Sequence, residues 1–192
     1  MMQRKWKIAA LLAVALSVGS TYAVAEESFL LKVVNIARLK GVKPVTDKPY
    51  QDECGGCHFA YPPGLLPAKS WEALLNPEAL RKHFGANAEL DNDTLKIIHD
   101  YAVDNAADKS WYKRSRKIAV ATAEGLAPLR ITELQYISRK HHDIPEKMIK
   151  GNKSVKSLSF CDKCHTQAAQ GVFDADTVNI PNYPNWDGWF SK

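Results

Sequence analysis

Two copies of one five-residue pattern constrain this chain more than any other feature of its sequence. The pattern is C-x-x-C-H, and its members are Cys54, Cys57 and His58 in the first copy and Cys161, Cys164 and His165 in the second. The chain has no other cysteine. This spacing suits covalent haem attachment, because two thiols add across the vinyl groups of one macrocycle while the adjacent histidine reaches the iron. The sequence therefore predicts two covalently bound haem c groups, each with its motif histidine as proximal ligand.

Other uses of paired cysteines fit the chain less well. A four-thiolate zinc site usually needs closer spacing than that between Cys57 and Cys161. A disulfide within C-x-x-C closes a very short loop and would stabilise the fold little. A thioredoxin-like motif follows a strand in a βαβ unit, and no run of strand-forming residues precedes either motif. Haem attachment is therefore the favoured interpretation.

The N-terminus has the pattern of a secretory signal peptide. A basic opening from Arg4 to Lys7 precedes an apolar run, and the tripeptide Ala-Val-Ala that ends at Ala25 fits the rule for cleavage. We expect residues 1–25 to be removed and the remaining chain to reside in the periplasm. No later stretch approaches the roughly 20 apolar residues that a membrane span needs.

The charge balance argues against a nucleic-acid partner. The formal net charge is +5, and basic residues of the predicted leader contribute three charges, which leaves +2 for the rest. The four propionates of two haems would bring the loaded protein to about −2. We expect redox proteins as partners, and contact with the membrane only through membrane proteins.

Apolar residues recur at helical rather than alternating spacing, which predicts a mainly α fold. One short helix is predicted to begin near Ser70 as its cap, and another to begin at Asp91 or Asp93. A third helical segment is predicted over residues 131–142 and is stopped by Pro145. Proline and glycine break most of the chain after the second motif, so we expect little secondary structure there.

We expect two small haem-binding domains. The charged segment 108–116 is placed as their boundary, which gives an N-terminal haem domain over residues 26–108 and a C-terminal haem domain over residues 109–192. The stretch 61–67 contains three prolines and one glycine, so it is predicted to wrap the first haem as an extended loop. Because few residues follow the second motif, the second haem must be enclosed mostly by what precedes it.

Each iron also needs a distal ligand. Methionine is absent between His58 and Met148, so the first haem is not expected to have a histidine and methionine pair. The candidates are His83, which we place on an apolar helical edge beside Phe84, and His99, on the apolar face of its helix. Spacing favours His83, and His99 stays open as the alternative.

The candidates at the second haem are His141, His142 and Met148. Adjacent residues of a helix point about 100° apart, so only one of the two histidines can face the iron. Leu134 and Ile137 mark the buried side, which puts His141 in register and turns His142 toward solvent. Met148 suits packing better than ligation but stays open as a ligand.

The chain resembles the small bacterial periplasmic dihaem cytochromes c, known as DHC. The resemblance is carried by residues 54–71, by the triplet 83–85, and by residues 130–133, 140–145 and 161–173. It implies a first domain like a class I cytochrome c, a second domain of less usual form and bis-histidine ligation in both. In the family pattern the distal ligands are the residues that correspond to His83 and His141. His142 stands where the family often has arginine or another polar residue, which leaves a swap with His141 open.

Bis-histidine ligation favours an electron carrier over an enzyme. It predicts low to middling reduction potentials and leaves no easy open position for oxygen, peroxide or nitrite. The resemblance implies electron exchange with a membrane b-type cytochrome and, in some members, with a small oxygen-binding monohaem cytochrome. The alternative is a dihaem peroxidase or reductase with one labile distal ligand.

Overall fold

The computed structural model describes residues 41–184 and residue 186. The predicted signal peptide, the residues that follow it up to position 40, and most of the C-terminal end lie outside the described residues. In the part of the chain that the structure describes, helices and turns dominate and no β-strand forms. The prediction of a mainly α fold is confirmed.

Seven α-helices lie within the described residues. They are α1 (Lys48–Gly55), α2 (Ala68–Leu74), α3 (Pro77–Arg81), α4 (Asn92–Asp104), α5 (Lys113–Ala121), α6 (Gln135–His141) and α7 (Glu146–Ile149). After the second motif the described chain forms only short 3-10 turns, as predicted, and these are Ala168–Gln170 and Ala175–Thr177. None of the helices in residues 41–184 combines the length and the apolar character that a bilayer span requires.

Helix α4 begins where the sequence predicts. The Asp91 carboxylate accepts hydrogen bonds from the backbone N–H groups of Asp93 and Thr94 at 3.1 and 3.0 Å. These bonds satisfy donors that have no partner inside the helix. Ile98 and Ala102 are fully buried on its inner face, so the apolar periodicity of this segment is the periodicity of a core-facing helix.

The predicted cap at Ser70 is wrong. Helix α2 begins at Ala68 with Pro67 at its N-cap position, and Ser70 is buried inside the helix. The free backbone N–H of Ala68 donates to the Asp108 carboxylate at 2.8 Å. A residue forty positions away therefore supplies the cap, which local sequence does not reveal.

The helix predicted over residues 131–142 forms in two pieces. A 3-10 turn, Ile131–Glu133, is followed by α6. Between them Leu134 is extended, with φ −61° and ψ 128°, and its side chain is only 2% exposed. The Leu134 side chain packs in the core from this extended backbone conformation, and the extended conformation interrupts the helix.

One hydrophobic core draws residues from both halves of the chain. Helices α1 and α2 pack on α4, and α6 packs on α5. The core cluster includes Val42, Tyr50, Leu66, Ile98, Ile118, Leu134, Tyr136, Ala168 and Phe173. Residues on either side of position 108 thus share one apolar interior, and the two-domain division stays a prediction.

The start of the described chain pairs with a residue that follows the second motif. The backbone N–H of Val42 donates to the carbonyl oxygen of Gly171 at 2.9 Å. Gly171 has a φ of 75°, and a Cβ there would lie 2.1 Å from the carbonyl oxygen of Val42. Only glycine fits this left-handed conformation and close approach. The contact brings residue 42 beside the segment that follows the second motif.

Candidate haem sites

The first motif lies at the C-terminal end of α1. Cys54 belongs to the last turn of the helix, and Cys57 and His58 follow in a turn. The Asp47 carboxylate fixes the other end of α1 by accepting from the N–H of Tyr50 at 2.9 Å. No disulfide joins any two of the four cysteines of the two motifs. Burial raises the pKa of the Cys54 thiol to about 12.

The structure brings His58 and His83 opposite each other. Their ring centres are 6.2 Å apart and their planes are inclined by 23°. His58 Nδ1 donates to the carbonyl oxygen of Phe59 at 2.8 Å, so the proton is on Nδ1 and Nε2 is available to a metal. His83 Nδ1 is buried and has no hydrogen-bond partner among the described residues. Burial, then the neighbouring His58 and Arg130, lowers the pKa of His83, which favours the neutral form that a ligand needs.

His83 does not lie on a helical edge, so that part of the prediction is wrong. Helix α3 ends at Arg81, and Phe84 has a positive φ of 49°, so His83 lies in the turn between them. The Phe84 ring packs against the edge of the His83 ring at 4.8 Å. The guanidinium of Arg130 lies 4.0 Å above the centre of the Phe84 ring. The turn and its aromatic contact therefore orient His83.

His99, the alternative at the first site, lies elsewhere. Its side chain is 36% exposed, and its Nδ1 lies 3.3 Å from the carboxylate of Asp100. The imidazole that faces His58 is that of His83. The structure does not bring His99 into the first site.

The second motif lies in a 3-10 turn, Cys161–Lys163. The N–H of His165 donates to the carbonyl oxygen of Cys161 at 2.8 Å, and the carbonyl oxygen of Cys164 accepts from Asn179 at 2.8 Å. Burial raises the pKa of the Cys161 thiol to about 11 and also raises the pKa of the Cys164 thiol. Backbone hydrogen bonds thus hold both thiols and the histidine of the motif in place.

The structure also brings His141 and His165 opposite each other. Their ring centres are 6.0 Å apart and their planes are inclined by 75°. His141 Nδ1 donates to the carbonyl oxygen of Ile137 at 2.8 Å, which leaves Nε2 available to a metal. Burial, then His141 and Arg114, lowers the pKa of His165 to about 4. Its buried Nδ1 has no partner among the described residues, and the ring of Phe173 packs 5.2 Å away.

The other two candidates at the second site point away from it or are packed. His142 Nδ1 lies 2.9 Å from the carbonyl oxygen of Arg139, and its Nε2 lies 3.1 Å from the Asp143 carboxylate. Both ring nitrogens are therefore engaged, and the side chain is 64% exposed. Met148 is a buried residue of α7.

Both histidine pairs fit an iron atom between them. Two metal–nitrogen bonds of about 2 Å, as imidazole makes to first-row metals, and the two ring radii amount to roughly 6 Å between ring centres. The observed separations are 6.2 and 6.0 Å. No group of three or more His, Cys, Asp or Glu side chains within residues 41–184 could hold a metal ion. A haem iron needs only two protein ligands, because the macrocycle supplies the other four.

Tyr61 is a residue at these sites that the sequence analysis missed. Its ring lies 5.0 Å from the His58 ring, with planes inclined by 39°. Its hydroxyl donates to the carbonyl oxygen of Ser159, two positions before the second motif, and its own carbonyl oxygen accepts from the Tyr50 hydroxyl at 2.7 Å. Burial, then nearby groups of the second motif, raises the pKa of Tyr61 to about 12. Tyr61 and Ser159 are 98 positions apart, so no local pattern reveals the contact.

Arg114 is the second residue that sequence analysis missed. It lies on α5, and its side chain is only 16% exposed. Its guanidinium donates to the Asp174 carboxylate at 2.9 Å and to the Tyr136 hydroxyl at 3.3 Å. The positive charge of Arg114 helps to lower the pKa of His165. Sequence alone does not separate this buried arginine from the solvated basic residues around it.

Comparisons with known proteins point to one family. The family model described as dihaem cytochrome c matches residues 50–173. A solved diheme cytochrome type c from Shewanella baltica OS155 is 40% identical and covers 73% of this chain and 97% of that chain, with a TM-score of 0.59. A diheme cytochrome c from Rhodobacter sphaeroides is 41% identical and covers 69% of this chain and 100% of that chain, with a TM-score of 0.60. No curated protein matches the chain.

Proposed function

Since the chain belongs to the dihaem cytochrome c family, we propose that it is a periplasmic one-electron carrier between a membrane donor and a soluble acceptor. The family carries two covalently bound haem c groups, and the two C-x-x-C-H motifs of this chain are the places for them. The bound haem supplies the redox chemistry, and the protein supplies ligation, burial and orientation.

The observation that carries the proposal is the pair of opposed imidazoles at each motif. In the proposal His58 and His83 ligate the first iron, and His165 and His141 ligate the second. The separations of 6.2 and 6.0 Å support this assignment. With histidine on both faces of each haem, neither iron has an open position for a substrate. Electron transfer needs no open position, whereas a peroxidase or reductase does.

The chain's own hydrogen bonds prepare the imidazoles for this role. His58 and His141 each donate Nδ1–H to a backbone carbonyl oxygen at 2.8 Å. Such a bond fixes the tautomer and the ring orientation, and it makes the remaining nitrogen a better ligand. The haem at each site would therefore meet one histidine held in place by the backbone, and its low-spin state would follow from strong ligation on both faces.

The membrane donor in the proposal is a b-type cytochrome, and the soluble acceptor is a small monohaem cytochrome. The support is the family resemblance together with the low to middling potential expected of bis-histidine haem. The signal-peptide pattern at the N-terminus supports the periplasmic location.

Three measurements on the purified protein test the proposal. A pyridine haemochrome assay after denaturation should find two covalent haems per chain. The absorption spectrum should show low-spin haem alone, and neither cyanide nor carbon monoxide should bind readily. A high-spin band with rapid cyanide binding would instead indicate the dihaem enzyme. Fractionation of cells that express the full chain should recover the haem-stained band with the periplasmic fraction.

A further inference from the structure

A single side chain reaches from the first haem site to the second. The Tyr61 ring packs on the proximal histidine of the first motif, with ring centres 5.0 Å apart. At the other end of the same ring, the hydroxyl donates to the backbone at Ser159. Two peptide units lead from Ser159 to Cys161, the first attachment cysteine of the second motif.

Contacts to the backbone and to the ring of Tyr61 fix the position of this residue. The Tyr50 hydroxyl is fully buried with its ring in the core, and it donates to the Tyr61 carbonyl oxygen at 2.7 Å. The Phe59 ring meets the Tyr61 ring edge-on at 5.5 Å. The Tyr61 side chain therefore has one defined position, and the Ser159 carbonyl oxygen is held at its tip.

We propose that Tyr61 is a positioning residue that couples the two haem sites, because it fixes the second motif against the first and provides a path for the electron between them. This inference rests on the proposed electron-carrier function. The path runs from the His58 imidazole across the ring contact to Tyr61, through its hydroxyl to the Ser159 carbonyl, and along the backbone to Cys161.

The step along this path is a simple one-electron exchange. One haem is oxidised and the other is reduced, and no bond forms or breaks. Tyr61 keeps its hydroxyl proton throughout and is not itself oxidised. Its contribution is contact, since a continuous chain of bonds and a hydrogen bond couples two centres better than a gap does.

Other links between the two halves of the chain do not connect one haem site with the other. The ion pair of Arg114 with Asp174 lies on the side of the second site alone. The bond between Val42 and Gly171 joins two backbone groups and involves no side chain of either attachment motif. Tyr61 is the residue whose side chain contacts the His58 ring and the segment leading to Cys161.

The test uses the haem-loaded protein and three variants. Y61F removes only the hydroxyl and so breaks the bond to Ser159. Y61L removes the ring as well. Y112F is the matched control, because Tyr112 is also partly buried and its hydroxyl has no hydrogen bond to the described residues. A flash-generated flavin semiquinone, supplied below one equivalent, reduces part of the protein, and the subsequent redistribution of the electron between the two haems is followed optically.

Redistribution should slow several-fold in Y61F and further in Y61L, while Y112F should keep the rate of the unmutated protein. Redox titration of each variant gives both potentials, so that a change in driving force is recognised. Equal rates in all four proteins would overturn the inference, as would a slowing fully accounted for by shifted potentials. If Y61L loses a haem, Y61F alone decides, because it keeps the ring. The proposed function fails separately, if the unmutated chain itself lacks two low-spin haems.

Discussion

Replacing His141 by alanine should convert one of the two haems from low spin to high spin. The ring of His141 is the one that faces His165, with 6.0 Å between ring centres. In the proposal each imidazole pair ligates one iron, so the expected loss is half of the low-spin signal, while the first site keeps its full signal. The removed ring also opens a position at which cyanide or carbon monoxide can bind.

The neighbouring His142 should not replace the lost ligand. Its ring would have to leave the hydrogen bond to the Arg139 carbonyl oxygen, which contributes about 0.5–1.5 kcal/mol, and its contact with the Asp143 carboxylate. It also projects about 100° away around the helix axis, so reaching the iron would require the last turn of α6 to unwind. The matched variant H142A should therefore keep both haems low spin.

Low-temperature electron paramagnetic resonance of H141A, H142A and the unmutated protein measures this directly, at equal haem content set by the haemochrome assay. The reasoning would be refuted if H142A lost half of the low-spin signal while H141A kept all of it. Retention of both low-spin signals in H141A, with a new methionine band in the near infrared, would instead identify Met148 as the ligand.

Three further predictions concern other parts of the molecule. H83A should convert the first haem to high spin, whereas H99A should leave the spectrum unchanged; the opposite result would exchange their roles. R114Q should lower the reduction potential of the second haem by roughly 20–60 mV, where about 59 mV corresponds to tenfold in a one-electron equilibrium. The reason is that loss of a positive charge beside His165 favours the oxidised iron. A redox titration in which only the first haem shifted would contradict this. G171A should lower the free energy of unfolding by at least about 1–2 kcal/mol, because its φ of 75° is left-handed; an unchanged melting temperature would count against the close contact.

The haem sites could be predicted from the sequence wherever the chemistry depends on local spacing. Each motif places two thiols and a histidine within five residues, so covalent haem attachment can be predicted from the sequence alone. The preference for His141 over His142 came from helical periodicity, and the structure places His141 opposite His165. The cap at Asp91 is local too, since the bonds that it accepts come from the next two or three residues.

The features that sequence analysis missed depend on contacts between distant residues. The start of α2 is capped by Asp108, so the capping propensity of Ser70 was a false signal. His83 reaches its place through a turn in which Phe84 adopts a positive φ, a conformation that a bulky residue rarely takes. The bond from Tyr61 to Ser159 exists only once both motifs are docked.

The bond between Val42 and Gly171 bears on how the chain matures. Contacts that join residues so far apart in sequence form late in folding, because the intervening loop must first close. If the chain is exported from its N-terminus, as the proposed periplasmic location requires, Val42 emerges early, and its partner in this bond, Gly171, emerges later. Both attachment motifs precede Gly171 in the sequence. The machinery that attaches haem would therefore meet four accessible thiols on a chain whose core has not yet formed.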